Sequence, residues 1–186
     1  MIVGGVAAWY FLTQTAPGES AVETVTAAVA GWQNVNEGPT WVPVINQTEQ
    51  ALGLPANLLA RQAYQESRFR PDVIAGTDVS SAGALGILQL EPAFFSSVGP
   101  SVAIPYTAAD TTAQISQAGQ EMQSLYNQFG DWGLALAAYN WGSGNVSKWL
   151  AAGGTGPMPQ ETQDYVSEIL TDVPLPSVLT GASASA

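Results

Sequence analysis

The feature that most limits what this chain can fold into is its punctuation. Between Trp41 and Leu170, apolar residues recur at helical spacing in short runs, and the runs are set off by residues that start or stop helices. "VPVINQTEQALG" places Val44, Ile45 and Leu52 at that spacing and stops on Gly53. "LPANLLARQAYQESRF" opens with Pro55 in its first turn. "YTAADTTAQISQAGQEMQSLYNQFG" carries an apolar stripe of Ile115, Ala118, Met122, Leu125 and Phe129. Asp131 caps "WGLALAAYN", a run so evenly apolar that it should lie at the centre. "GSGNVSKWLAAGG" ends in glycine, and "PQETQDYVSEIL" has Pro159 and Glu161 in its first turn. The pattern predicts an all-α domain of about seven helices with at most a minor β element.

Between these runs, Arg70–Gly86 is rich in Gly, Ser and Asp and reads as a long loop, followed by a short helix starting at Pro92. Residues 1–40 read as an apolar, extended attachment segment with a weak helix over Ala21–Trp32. The body spans 41–170, and 171–186 is an extended tail rich in Pro, Ser and Ala. The opening stretch "MIVGGVAAWYFL" is shorter than the ~20 residues that span a bilayer, and no basic residue precedes it. No transmembrane span is expected. Packing of this stretch against a neighbouring protein is the expectation, with an anchor or degenerate signal as the alternative.

Charge removes whole classes of partner. Four basic residues stand against fifteen acidic ones, a net charge of −11. Phosphate backbones need clustered Lys and Arg, so nucleic acid is not an expected partner. The chain has no Cys and no His, which removes thiolate chemistry, His-based triads and His-ligated zinc together. The acids are dispersed, without the spacing of a calcium loop, so neither a metal nor another cofactor is expected. Acid–base chemistry near neutral pH then falls to a carboxyl with a raised pKa, a Tyr or the single Lys.

Glu66, in "AYQESRF", is the carboxyl that matters. The ordinary reading of a Glu is a solvated surface residue. Here Leu58, Leu59, Gln62, Ala63, Glu66 and Phe69 share one helical face, so Glu66 points to the side of the core. It also lies near the helix C-terminus, whose negative dipole end disfavours another negative charge. Desolvation by the same apolar residues would raise its pKa further, while Arg68 and Arg70 would oppose this if they were close.

Four strings stand in one order: "QES" (Gln65–Ser67), "GALGILQL" (Gly83–Leu90), "AAYN" (Ala137–Asn140) and "PQETQDYV" (Pro159–Val166). Together they resemble the soluble lytic transglycosylases, lysozyme-like enzymes that cut peptidoglycan glycan strands. Ile87 and Leu88 replace the family's Leu and Met, and both stay apolar. The resemblance runs from Trp41 to about Leu170. It implies a lysozyme-like fold and a catalytic Glu66 that both gives and takes the proton. The bond cut would be that between MurNAc and GlcNAc, with a 1,6-anhydro-MurNAc end as product. The resemblance also implies that Ser67 orients Glu66 or touches substrate, and that Gln89, Tyr139 and Asn140 line the cleft. The Tyr165 hydroxyl would lie near Glu66. Each has a plainer reading: a helix-end hydroxyl for Ser67, a satisfied polar group for Gln89, core for Tyr139 and Tyr165, a helix cap for Asn140. Asp78 and Glu91 are possible second carboxylates, with solvated Asp78 in its loop as the ordinary reading. The expected partners are glycan strands and, through residues 1–40, neighbouring proteins of a phage virion or tail acting at the host wall. A bacterial periplasmic or envelope enzyme is the alternative setting. A goose-type hydrolase, and a virion or wall-docking subunit without turnover, are the alternative functions.

Overall fold

The computed structural model describes residues 30–80 and 83–175. The apolar N-terminal stretch, most of the weak helix expected over Ala21–Trp32 and most of the 171–186 tail lie outside these residues. After a short 3-10 turn, Ala30–Asn34, seven α-helices follow among the described residues. They are α1 (Gly38–Leu52), α2 (Leu58–Ser67), α3 (Pro71–Ile74), α4 (Ala108–Phe129), α5 (Trp132–Trp141), α6 (Ser143–Ala151) and α7 (Gln160–Thr171). The helical punctuation therefore carries through to the architecture. Gly53 closes α1 in the left-handed region at φ 68°, Thr107 and Asp110 form a reciprocal capping box at the start of α4, and Asp131 caps α5 by accepting from the Leu134 N–H.

The apolar stripes meet in one core. α5 packs against α4, α6 and α7, as its even hydrophobicity requires, and Ala135, Leu136, Ala137 and Ala138 are buried. α1 lies against α2 and α4, and α2 reaches α7. Ile45, Leu58, Leu59, Ile115, Met122, Leu136 and Ile169 are fully enclosed.

Two local expectations give way. The long loop after α2 contains the single helical turn α3, started by Pro71 with Asp72 in its first turn. No helix forms at Pro92. The chain makes one turn, in which the Phe94 and Phe95 N–H groups donate to the Glu91 carbonyl, and then leaves the helical path. Ser97 donates its N–H and its hydroxyl to the Gln117 side chain of α4, and that anchorage replaces the next helical bonds. The minor β element is one antiparallel bridge, Leu85 to Leu90.

The ends of α2 are held by groups outside it. Asn57, at φ 66°, gives its N-terminus no side-chain cap. The buried Glu49 carboxylate of α1 accepts instead from the Asn57 N–H at 2.8 Å and the Ala60 N–H at 2.9 Å. Beyond the C-terminus, Arg68 and Phe69 are both left-handed, at φ 50° and 52°. Their carbonyls are met by the Asn36 amide at 2.9 Å and the Glu37 N–H at 3.0 Å. Trp32 stacks on Phe69 at 6.5 Å between ring centroids and tilts against Tyr64 at 5.9 Å. Packing in this body thus begins nine residues before Trp41, at Trp32, where the contacts also divide the chain into Met1–Gly31 and Trp32–Ala186. Gly38 is required at the join, because a Cβ there would stand 2.4 Å from the Gln33 carbonyl oxygen.

Trp32→Ala should lower stability by about 2 kcal/mol, less than the ~3–5 kcal/mol of a fully buried aromatic because Trp32 is half-buried. Thermal melting of the full chain checks this, and an unchanged midpoint would show that the clamp on α2 does not need Trp32.

Candidate active site

Pairing of α2 with the last helix builds the site. Arg61, near the start of α2, donates to Asp172, just past α7, at 2.7 Å, and both side chains are largely buried. Further along α2, the Tyr165 hydroxyl of α7 donates to Glu66 Oε1 at 2.6 Å. The sequence numbers rise in one helix and fall in the other, so the two helices run antiparallel with Glu66 and Tyr165 face to face.

Glu66 is half-buried, and its carboxyl pKa is pushed up to about 7. Burial is the largest cause; the Tyr165 hydrogen bond opposes it and the Glu161 charge adds to it. The carboxyl therefore holds its proton over a substantial part of the neutral range. Burial also raises the Tyr165 and Tyr139 phenols well above the ordinary tyrosine value, with the Glu66 charge next in importance for both. Arg68 and Arg70 do not undo this arrangement. Arg70 is exposed and paired with Asp72 and Asp78, and Arg68 lies over the Tyr64 ring.

Two cavities meet at Asn140. The first, of about 520 Å³, is lined by Gln65, Glu66, Asn140, Glu161, Asp164 and Tyr165. The second, of about 500 Å³, takes in Gln89, Glu91, Phe94, Glu121, Tyr139 and Asn140. Both volumes suit small-molecule or oligomer segments. Asn140 is fixed by the Thr162 hydroxyl, which donates to Oδ1 at 2.7 Å, so the amide NH₂ is the end left for the cavity. Gln89, left-handed at φ 47°, folds its amide back to the Gly86 carbonyl at 3.0 Å. The loop that carries it is seated by Leu85, Ile87, Leu88 and Leu90, all buried, and by the Tyr139 hydroxyl, which donates to the Leu88 carbonyl at 2.8 Å. A Cβ on Gly86 would stand 2.1 Å from Gln114 Oε1, so glycine is needed there.

The residues singled out from sequence thus divide. Glu66, Asn140 and Tyr165 converge on the first cavity; Gln89, Glu91, Tyr139 and again Asn140 line the second. Ser67 is buried, and its hydroxyl donates to the Ala63 carbonyl and accepts from the Phe69 N–H, which shapes the end of α2. Asp78 accepts from Arg70 at 2.8 Å and lines neither cavity. Sequence reasoning missed Glu161 and Asp164, the acids that stand beside Glu66. Their signal was available: Glu161 is four residues before Tyr165 and so shares its face of α7. It also missed Thr162 behind Asn140 and the exposed Phe94 on the rim.

An all-helical, lysozyme-like domain whose two-chambered groove holds an acid with a raised pKa is the class that this fold and site define. The chain belongs to the transglycosylase SLT domain family, whose model matches residues 43–158. Glu66, Gln89, Tyr139 and Asn140 fall within the match, whereas Tyr165 lies beyond it. The chain is similar to membrane-bound lytic murein transglycosylase D of Escherichia coli strain K12. Identity is 37% over an aligned stretch of 116 residues, which covers 56% of this chain and 25% of that protein. The protein of the same name from Escherichia coli O6:H1 matches with the same figures. This chain spans about a quarter of the length of these relatives.

A carboxyl whose folded pKa is about 7 and whose ordinary value is 4.5 makes the folded state bind the extra proton between those two pH values. Stability from this group therefore falls as pH rises from 4.5 to 7, and the full penalty, up to about 3 kcal/mol, stands above pH 7. Glu66→Gln removes the ionisation. It should melt higher than wild type at pH 8, with a much smaller difference at pH 5. Equal differences at both pH values would show that Glu66 ionises as an ordinary surface carboxyl.

Proposed function

We propose that the protein is a peptidoglycan lytic transglycosylase in which Glu66 is the acid and then the base. The observation that carries this reading is the Glu66 carboxyl, half-buried, bonded to Tyr165 and holding its proton near neutral pH. A glycosidic oxygen leaves only if it is protonated as its bond to C1 breaks, and Glu66 gives that proton. The C6 hydroxyl oxygen of the same muramyl sugar then bonds to C1, and its proton passes to the Glu66 carboxylate. Atoms balance without water, and the enzyme returns to its starting state. The substrate's own N-acetyl group stabilises the electron-poor C1, and the Asn140 amide holds it. Tyr165 steadies the carboxylate between the two proton transfers. Holding the C6 hydroxyl against C1 is a proximity effect. Family membership and the name of the Escherichia coli relatives support the substrate class.

A hydrolytic reading has its own foothold, because Glu161 and Asp164 stand in the cavity with Glu66 and a hydrolase needs a second carboxylate. Product chemistry separates the two. Muropeptides released from purified sacculi should be one water lighter than hydrolysis products and resist borohydride reduction. Glu66→Gln should reduce their release by at least a hundredfold. Reducible ends that disappear in Glu161→Gln would transfer the assignment to a hydrolase.

The second cavity is read as the continuation of the glycan path. Phe94, 78% exposed on its rim, offers an apolar face to a sugar ring. Phe94→Ala should slow release severalfold with melting unchanged. An unaltered rate would take Phe94 off that path.

For the setting, we propose that the residues before Trp32 attach the enzyme to a neighbouring protein, in a phage virion that opens the host wall. The short apolar stretch "MIVGGVAAWYFL" supports attachment by burial against protein. Among the described residues no helix is long and apolar enough to cross a membrane. The name of the relatives, membrane-bound lytic murein transglycosylase D, supports the rival setting in a bacterial envelope. Detection of the chain in purified particles, or in envelope fractions of uninfected cells, decides between the two settings.

A further inference from the structure

Gln62 lies one turn before Glu66 on the same face of α2 and is fully buried, yet among the described residues neither its Oε1 nor its Nε2 makes a hydrogen bond of ordinary geometry. A buried amide without a good partner is destabilising, and an apolar side chain of the same length would avoid that cost. Nothing in the packing of α2 calls for an amide there, since Leu58, Leu59 and Ala63 on the same face are apolar and fully buried. The amide lies beside the Tyr165 hydroxyl, which is itself bonded to Glu66.

We infer that Gln62 is a positioning residue, whose N–H is directed at the Tyr165 oxygen so that the Tyr165 proton is committed to Glu66. A phenol oxygen turned toward an N–H has its own proton free to donate elsewhere, and Glu66 Oε1 is 2.6 Å away. Gln62 is also the neighbour that eases ionisation of Tyr165, the direction expected of an N–H aimed at the oxygen. The sharper the Tyr165 donation, the better the Glu66 carboxylate is held after it has given up its proton. Gln62 therefore sets how far burial can raise Glu66, at a cost in stability.

The other groups around Glu66 are fixed in kind. Tyr165, Glu161 and Asp164 face it from α7, and Tyr139 faces it from α5 with Glu121 of α4 acting on Tyr139. On α2 itself, Arg61 is engaged by Asp172 and Gln65. A neutral substitution at Gln62 changes the charge of none of these.

This inference rests on the reading of Glu66 as the acid, but its test needs no turnover. The full chain is prepared as wild type, Gln62→Met, Tyr165→Phe and the double variant, and the Glu66 carboxyl is titrated by its ¹³C shift. Gln62→Met should raise the Glu66 midpoint by about half a pH unit and raise the melting temperature, because it removes the orphan amide. Tyr165→Phe should raise the midpoint at least as far, and the double variant should go no further than Tyr165→Phe, because Gln62 acts through Tyr165. A midpoint unmoved in Gln62→Met would overturn the inference, as would a shift that persists undiminished in the Tyr165→Phe background. Absence of activity on sacculi would instead count against the proposed function and leave the titration result standing.

Discussion

The antiparallel pairing of α2 with α7 is the constraint on which the site depends. It places a carboxyl where water is scarce and supplies one hydrogen bond from Tyr165, instead of a cation, to hold it. A positive partner would have kept Glu66 ionised. The four basic residues of the chain are few enough that their places can be followed. Arg61 ties α2 to Asp172, Arg70 is spent on Asp72 and Asp78, Arg68 sits on the Tyr64 ring, and Lys148 belongs to the last turn of α6. The scarcity of Lys and Arg is thus part of how the acid keeps its proton.

The rest of the fold holds that pairing in place. Glu49 reaches from α1 to cap the start of α2, and the segment from Trp32 to Glu37 closes over its end, where two residues in succession are left-handed. Strain at Arg68 and Phe69 is tolerated because the surrounding groups over-determine it. On the far side of the groove, the Leu85–Leu90 turn is locked by buried side chains below and by Tyr139 from α5. The two walls meet at Asn140, itself pinned by Thr162. A site meant to accelerate a proton transfer is better served by such fixed groups than by mobile ones.

Much of this was legible in the sequence, and what was not has physical reasons. Helical period and end signals gave α1, α2, α4, α5, α6 and α7, because those signals act within one element. The face shared by Leu58, Gln62 and Glu66 put the acid on the buried side for the same reason. The Pro92 segment failed as a helix because its fate is decided by Gln117, twenty residues further along from Ser97. Asp78, whose ordinary reading in sequence was a solvated loop acid, is exposed and paired with Arg70 and lines neither cavity. Glu161 was within reach of the sequence, four residues before Tyr165 on the same face of α7, whereas Asp164, the residue next to Tyr165, carries no such periodic signal. Trp32 was assigned to an extension, since no sequence period links it to Phe69.

The account turns on one ionisation, and that ionisation can be observed directly. The ¹³C shift of the Glu66 carboxyl, followed in the wild-type chain from pH 4 to pH 9 beside the rate of muropeptide release, gives both midpoints from one preparation. The account expects the carboxyl to titrate near 7 and the rate to fall on the alkaline side with the same midpoint. A carboxyl that titrates near its ordinary 4.5, with a rate indifferent to pH around 7, would contradict it.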